Sequence, residues 1–408
     1  MGRTRCERTA LILLAMMCMT VIFSTAIVQI LVVLLTLLAI RCVEAGAYYP
    51  FRRTPLDIPY LAFVIGRVAS VVFSKDLAKS LPALSGEFIF YVVFFIVTQS
   101  IRENEFQAGR ILTSILIWAG VIAGVIGTLK VVLSFDPRGS STTAGTYTLG
   151  TYLCPVLALG LVAPFYGRGS RVARWFVPLA MCLGIVFTFD RLHWVTMGLT
   201  LGIAGIILRR RAVVFILGAV LLASLLSPTI RFRAVQFADL GSLTSGRDVL
   251  WKGASTLISV HPMIGFGPRT FSEIFPFFEL LPFRGVGSWH NDYLQVYMES
   301  GLVGLLPLVW LIVATFVYAR RLLRSATLSL EQRRLVLSLL IALSLIFLAG
   351  GVIDTHVGIV FRTLLGLLAL LLTRTGESST AQPDSLSGIE ARVRQGGHLA
   401  TQVSGSRR

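Results

Sequence analysis

Apolar runs of nearly membrane-spanning length follow one another along most of this 408-residue chain. A helix needs about 20 apolar residues, or as few as about 17, to cross the hydrocarbon layer of a bilayer. Only one long hydrophilic insertion interrupts the pattern, from about Ser227 to Ser300. We predict about twelve transmembrane helices, near residues 10–25, 26–42, 57–74, 84–101, 111–133, 147–166, 172–189, 192–208, 212–228, 301–319, 335–352 and 356–373.

The N-terminal runs have two readings, because residues 10–42 suit either two helices or one long tilted helix. A basic start, an apolar stretch and then Ser24-Thr25-Ala26 resemble a signal peptide, but a second apolar run begins at once with Ile27. We therefore expect a retained first helix. Merging the two runs would invert the later loops, so the loop charges favour two helices.

Basic residues in alternate loops indicate the orientation, since short loops rich in Lys and Arg stay in the cytoplasm. One set of loops carries many arginines: Arg41, Arg52, Arg53, Arg102, Arg110, Arg168, Arg171, Arg174, Arg209, Arg210, Arg211, Arg320, Arg321, Arg324, Arg333 and Arg334. The opposite short loops hold Lys75, Lys79, Arg138 and Arg191. We predict a multi-pass protein of the bacterial inner membrane with both termini cytoplasmic.

The predicted organisation has four parts. Residues 1–228 carry helices one to nine, residues 229–300 form a periplasmic loop with the candidate chemistry, and residues 301–373 carry the last three helices. The tail, 374–408, is rich in Ser, Gly, Gln and Arg, so we expect it to be disordered and cytoplasmic.

Composition agrees with a membrane protein. The chain is 55% hydrophobic and only 14% charged, whereas soluble domains carry roughly a quarter charged residues. Its net charge of +17 would suggest nucleic acid in a soluble protein, but the arginines stand between apolar runs, without interleaved aromatic residues. We therefore expect membrane lipid and no nucleic acid as a partner.

The five cysteines all lie in or beside apolar segments, and no Cys-x-x-Cys pair occurs. We predict small core hydrophobes and no disulfide framework. They are Cys6, Cys18, Cys42, Cys154 and Cys182.

Two segments of the large loop carry candidate chemistry. The first, residues 245–271, predicts a helix capped by Ser245 or Asp248, followed by a tight turn at Gly265 and Gly267. Its apolar stripe would rest on the membrane surface or on the bundle. The stripe consists of Trp251, Ala254, Leu257 and Ile258.

The second segment, residues 285–312, predicts a helix capped by Asn291 or Asp292 that runs into the next transmembrane helix. His290 would stand at its N-terminal end, where the helix dipole disfavours imidazolium and keeps the ring able to accept a proton. Asn291, Gln295 and Glu299 share one polar face at four-residue spacing.

Arginines on the outward face suit a phosphorylated ligand, because guanidinium groups make forked contacts with phosphate oxygens. A lipid diphosphate entering from the outer leaflet would meet such a surface. Outward acidic pairs at i, i+2, a His-x-x-x-His pair and a Gly-x-Ser-x-Gly turn are absent from the sequence, so we expect no metal, no cofactor and no serine nucleophile. The outward residues are Arg191, Arg247, Arg269 and Arg284, with His290, Trp251 and Trp289.

Four segments resemble the O-antigen ligase and polymerase superfamily of bacterial membrane glycosyltransferases. They are TFDRLHW, SGRDVLWKGA, HPMIGFGPRTF and WHNDYLQVYMESGLVGLLPLVWLI, the last being the most specific. The similarity covers roughly residues 57–372 and is strongest over 190–312. The resemblance implies an all-α polytopic, GT-C-like fold of about twelve transmembrane helices with one large periplasmic loop that carries short helices.

The resemblance also implies an activity: metal-free transfer of a glycan from undecaprenyl diphosphate to a lipid-anchored glycan acceptor, lipid A-core or a growing chain, at the periplasmic face. Arg191 and Arg247 match the arginines that hold the diphosphate, and His290 matches the general base. Asp190 departs from the usual Ser before the first arginine. We add Arg269 to the diphosphate set and Asn291, Glu299 and Trp251 as supporting residues.

Alternatives remain at this stage. A repeat-unit polymerase shares the donor chemistry and differs only in its acceptor, and the moderate loop size favours the ligase. A transporter would suit twelve helices with charges in or near apolar runs; a non-catalytic membrane scaffold would tolerate changes throughout the loop. The charges in question are Arg67, Glu87, Asp354 and Arg362.

Overall fold

The computed structural model describes residues 3–48, 50–163, 171–208, 218, 247–281, 286–326 and 328–380. This part of the chain is helical and contains no strand. In chain order its helices are α1 (Arg3–Thr20), α2 (Thr25–Glu44), α3 (Asp57–Val72), α4 (Leu77–Ser100), α5 (Glu105–Val132), α6 (Thr146–Val162), α7 (Arg171–Val186), α8 (Arg191–Leu208), α9 (Arg247–Leu257), α10 (Phe271–Ile274), α11 (Asp292–Arg324), α12 (Leu330–Ala349) and α13 (Thr355–Thr380).

Eleven of the twelve predicted spans overlap helices, and the ninth, 212–228, lies outside the described residues except for residue 218. Five described helices are long and apolar enough to cross a membrane: α2, α5, α11, α12 and α13 over Thr355–Thr373. Shorter apolar stretches lie in α4, α6, α7 and α8. The described residues are thus consistent with the predicted helical, multi-pass membrane protein, while the number twelve stays a prediction.

The N-terminal runs form two helices. The first ends at Thr20, and the side chain of Ser24 caps the second by accepting a hydrogen bond from the Ile27 amide at 3.3 Å. The prediction for the cysteines is wrong at one pair, because Cys6 and Cys42 form a disulfide between α1 and α2. Two packed helices bring these cysteines together, which their sequence spacing does not reveal.

Helices α6 and α13 form the centre of the bundle. Every residue from Leu149 to Val162 is buried, and so is almost all of α13 up to Leu372. By contrast, α2 exposes a row of large aliphatic side chains, as expected of a helix that faces lipid. That row includes Ile27, Ile30, Leu34 and Leu37.

Glycines allow the closest helix crossings. At Gly66 of α3, an added side-chain carbon would stand 2.3 Å from the Val303 carbonyl oxygen of α11. A side-chain carbon added at Gly184 of α7 would stand 2.6 Å from the Cα of Gly124 in α5. Small residues are typical of membrane helix interfaces, because they let backbones touch. The α3–α11 crossing fixes the helix that carries the candidate site.

The predicted tail, residues 374–408, can be compared with the structure only in part. Helix α13 continues to Thr380, past the predicted start of the tail at residue 374. Residues 381–408 lie outside the described part of the chain, as do Ser245 and Arg284.

Candidate functional site

The turn around Gly265 forms backbone hydrogen bonds with α11 at a point where that helix is interrupted. Gly301 leaves the helical conformation at φ +57°, so this helix breaks there. Loop amides of Phe266 and Gly267 donate to the carbonyls of Met298 and Glu299, at 2.8 and 2.9 Å. In return, the amides that follow the break, of Leu302 and Val303, donate to loop carbonyls of Pro262 and Met263, at 2.9 and 3.1 Å.

Gly265 and Gly301 must both be glycine for these backbone hydrogen bonds to form. A side-chain carbon at Gly265 would stand 2.6 Å from the Glu299 backbone, and one at Gly301 would stand 2.3 Å from the Met263 backbone. Two backbones in direct contact leave no room for any other residue. The two loop segments singled out in the sequence are therefore joined into one unit at the N-terminal part of α11.

Glu299 holds this unit together through its carboxylate. One oxygen, Oε1, accepts from the backbone amide of Arg269 at 2.9 Å and from the side-chain amide of Gln295 at 2.5 Å. The oxygen of the Gln295 side chain accepts in turn from the Trp289 amide at 2.8 Å. A single buried carboxylate thus positions Arg269 and the turn that contains His290.

Beneath Glu299 lies Arg67 of α3, whose side chain is only 1% exposed. Its guanidinium contacts Glu299 Oε2 at 2.8 Å, Glu87 Oε2 at 2.9 Å and Ser300 Oγ at 3.0 Å. A buried cation is tolerated only with such partners. The sequence indicated Arg67 and Glu87 only as charges in apolar runs, and nothing in it linked them to Glu299.

A cavity of about 350 Å³ opens above this network. Its volume lies within the range of small-ligand sites, about 300–1,000 Å³. It brings together four of the predicted site residues, His290, Arg269, Asn291 and Glu299. The remaining lining residues are Glu87, Tyr147, Gly287, Ser288, Asp292, Gln295, Gly351, Ile353, Asp354 and Thr355.

His290 and Arg269 both have left-handed backbone conformations, with φ of +50° and +60°. Such angles are uncommon outside glycine and tend to occur where surrounding contacts impose them, often at functional sites. Here the contacts are known: Asn291 caps α11 by accepting from the Leu294 amide at 3.0 Å, as predicted, and Glu299 holds the Arg269 amide.

The surroundings of the His290 ring favour its neutral form. Burial lowers its pKa below the ordinary value of 6.5, and the positive charge of Arg247 lowers the pKa further. This agrees with the expectation from the helix dipole and adds a cause that the sequence did not indicate. A neutral imidazole that faces a cavity can accept a proton.

The far wall of the cavity comes from the segment between α12 and α13. The carboxylate of Asp292 accepts from the amides of Gly351 and Val352, at 2.8 and 2.7 Å. Asp354 accepts from two amides in the first turn of α13, each at 2.8 Å. The sequence indicated Asp354 only as a charge near an apolar run, and it gave no sign that this segment contacts the start of α11.

Arg247 begins α9 and is half-buried, and its charge acts on both His290 and Tyr147. The predicted stripe on this helix is divided. Ala254 is buried together with Leu250, whereas Trp251 is 56% exposed. Trp251 therefore does not support the cavity by packing, because its side of α9 points away from the loop core.

Arg191 begins α8 and is half-buried, and it is not among the described residues that line the cavity. Its neighbour Asp190 accepts from the Leu192 amide at 3.0 Å and lies 3.6 Å from Nδ1 of His193. Nε2 of His193, a fully buried ring that the sequence did not single out, is 3.0 Å from Thr151. The ring of His193 lies 5.2 Å from that of Tyr147, which lines the cavity, so the start of α8 adjoins the cavity although Arg191 does not line it.

Within the described residues, no three His, Cys, Asp or Glu side chains are grouped so that they could hold a metal ion. All four carboxylates of the lining already accept hydrogen bonds within the protein, so the cationic side chains, Arg269 with Arg247 nearby, are the charges that could face an anionic group. The arrangement can therefore hold an anion beside a group that accepts protons.

Comparison with known proteins gives one match. Residues 176–309 match the O-antigen ligase family model, and no curated protein matches the chain. The matched region runs from α7 into α11 and contains Arg191, Arg247, Arg269 and His290. The resemblance inferred from the sequence is confirmed over this region, and it supports a function of the O-antigen ligase or polymerase type.

Proposed function

We propose that this protein transfers a glycan from undecaprenyl diphosphate to a hydroxyl of a lipid-anchored glycan acceptor at the periplasmic face, without a metal ion. The observation that carries the proposal is the cavity lined by both His290 and Arg269, with Arg247 close enough to act on the imidazole. All three residues lie in the region that matches the O-antigen ligase family.

In the proposed reaction, the acceptor hydroxyl attacks the anomeric carbon of the donor glycan. The bond from that carbon to the acceptor oxygen forms while the bond to the diphosphate oxygen breaks. His290 takes the hydroxyl proton, and undecaprenyl diphosphate leaves with its electron pair. Proton transfer by a positioned base typically contributes about 10²–10⁴-fold to a rate.

The leaving diphosphate gains negative charge as the bond breaks. Fixed guanidinium groups stabilise such charge in the transition state more than in the ground state. Arg247 and Arg269 would supply them, with Arg191 holding a more distant part of the donor. Glu299 contacts no reacting atom in this scheme and acts as a positioning residue.

The decisive experiment is in vitro transfer by the purified chain from a defined undecaprenyl-diphosphate glycan, with and without chelator. We expect transfer that survives chelator and is lost in His290→Ala. His261→Ala is the matched control, because His261 is an exposed histidine of the same loop that packs on Phe266. Equal transfer by His290→Ala and His261→Ala would refute the assignment of the base.

Ligase and polymerase differ only in the acceptor, and we favour the ligase. A deletion strain separates them. Accumulation of long lipid-linked chains that never reach the final acceptor supports the ligase, whereas accumulation of single lipid-linked repeat units supports the polymerase. Solute uptake into vesicles that persists in His290→Ala would favour a transporter instead.

A further inference from the structure

A second cavity, of about 720 Å³, lies at the opposite end of the helix bundle. Helix α3 begins beside it, and α11 and α13 reach it near their C-terminal ends, whereas both of those helices begin at the candidate site. We call this cavity the basic groove. It is lined by Pro50, Phe51, Arg52, Arg53, Thr54, Pro55, Arg102, Tyr318, Arg321, Leu372 and Thr373.

Two of its four arginines have structural partners. Arg52 is paired with Glu105 at 2.8 Å and donates to the Ile101 carbonyl at 3.1 Å. Arg102 donates to the carbonyl oxygens of Tyr48 and Pro50, at 2.6 and 2.8 Å. These contacts hold two of the lining arginines in place by partners within the protein.

The other two arginines are exposed and come from distant parts of the chain. Arg53 precedes α3, and Arg321 lies in the last turn of α11, where its guanidinium stands 5.5 Å from the ring centre of Tyr318. Neither is paired with a carboxylate of the described residues. The groove therefore has a fixed wall and two guanidinium groups available to an anion.

We propose that the basic groove binds the phosphate group of an anionic phospholipid. Arginine forks match phosphate oxygens, and basic recesses between membrane helices bind lipid headgroups of this kind. A lipid is favoured over free phosphate because apolar surface adjoins the arginines: Phe51 is 56% exposed, and the half-buried Tyr318 belongs to a helix apolar enough to span the membrane.

Basic residues at this end of the helices also orient a membrane protein, but that role needs only charge and no defined cavity. The two roles make different predictions for arginines of equal charge inside and outside the groove. Arg320 and Arg324 are exposed, stand on the same helix end as Arg321 and do not line the groove. The double variant R320A/R324A therefore matches R53A/R321A in charge.

The test uses the full chain purified in detergent and measures melting temperature and bound lipid, the latter by native mass spectrometry. We expect phosphatidylglycerol to raise the melting temperature, phosphatidylcholine to leave it unchanged, and R53A/R321A to weaken phosphatidylglycerol binding at least tenfold. R320A/R324A should bind as the unchanged protein does. Arg321→Lys, which keeps the charge but loses the fork, should bind with intermediate affinity.

Each other outcome contradicts part of the proposal. Equal loss in R320A/R324A would mean attraction to a diffuse positive surface and would overturn the groove. If inorganic phosphate alone raised the melting temperature as much as phosphatidylglycerol, the ligand would be a soluble phosphate and not a lipid. Should R53A/R321A fail to fold, phosphatidylglycerol binding is measured with the single variants Arg53→Gln and Arg321→Gln in its place.

Discussion

Arg67 at the candidate site and the pair Arg53 and Arg321 at the basic groove are arginines in opposite situations. At the candidate site, Arg67 is buried and bonded to Glu87 and Glu299. At the basic groove, Arg53 and Arg321 are exposed and have no carboxylate partner among the described residues. A buried charge must keep its partners, so it fixes geometry, whereas an exposed one remains available to a ligand.

Arg269 combines both situations in one residue. Its backbone amide is held by Glu299, while its side chain is exposed at the cavity near Gly86 of α4. The comparison therefore indicates two roles for arginine: buried and paired arginines fix the structure, and exposed ones are available to a ligand. We propose that the buried network holds the geometry of the site, while residues attached to it, such as Arg269, contact the substrate.

The largest expected effect is on catalysis at the site end. His290→Ala should lower transfer by about 10²–10⁴-fold, because a positioned base contributes about that much. The melting temperature should stay close to that of the unchanged protein, since the ring faces the cavity. Transfer assays with the purified variant, alongside its melting curve, check both statements. A large fall in melting temperature would instead make His290 a structural residue.

The next effect tests the buried network. Glu299→Ala removes one of the two carboxylates of Arg67, and breaking a buried pair in this way costs about 3–5 kcal/mol. Denaturation in detergent measures the loss. Glu279→Ala is the control, because this exposed glutamate of the same loop should change stability by less than about 0.5 kcal/mol. Indistinguishable stabilities of the two variants would remove the contrast between buried and exposed charges.

Glu299→Gln separates charge from geometry. The amide oxygen can still accept from Arg269 and Gln295, so part of the transfer activity lost in Glu299→Ala should return. Transfer as low in Glu299→Gln as in Glu299→Ala would mean that the charge itself, and not the hydrogen bonds, is required.

A smaller effect concerns pH. Burial and the charge of Arg247 lower the pKa of His290, so the base is neutral at pH 7 and transfer should fall only as pH drops below about 6.5. Arg247→Gln removes the second cause, so the pKa should rise toward its ordinary value and the acidic limb of the normalised profile should move to higher pH. Lys252→Gln, an equal charge change at an exposed position of α9, should leave the limb in place.

The smallest effect is expected at the groove end. R53A/R321A should change the free energy of unfolding in pure detergent by less than about 0.5 kcal/mol for each residue, because exposed substitutions away from special features are usually that mild. The same denaturation assay checks this value. A loss of stability as large as that of Glu299→Ala would mean that Arg53 and Arg321 are structural residues, as Arg67 is.

Most of the fold was predictable from local information. Apolar runs located eleven helices, and the sequence predicted a cap for α11 at Asn291 or Asp292, of which the structure selects Asn291. The division at Ser24 was also indicated, by loop charge. These predictions succeeded because hydropathy and helix caps depend on neighbouring residues and on the solvent around them.

The candidate site was predictable only in part. The motifs of the large loop predicted His290, Arg269 and Glu299 as site residues. The sequence did not reveal that Glu299 contacts Arg67 or that Asp292 binds the segment after α12. Trp251 was predicted to support the site and is exposed instead, because the packed face of α9 is the one that carries Leu250.

The sequence by itself determined where helices form and which segments are polar. It also supplied residue types suited to binding phosphate and to accepting a proton. Only the tertiary structure decided the pairings: Cys6 with Cys42, Gly301 with the loop at Met263, and Arg67 with Glu87 and Glu299. Hydropathy is a property of a segment, whereas a buried ion pair depends on how separate helices cross. That crossing is set by backbone contact at glycines such as Gly66, far along the chain from the residues it brings together.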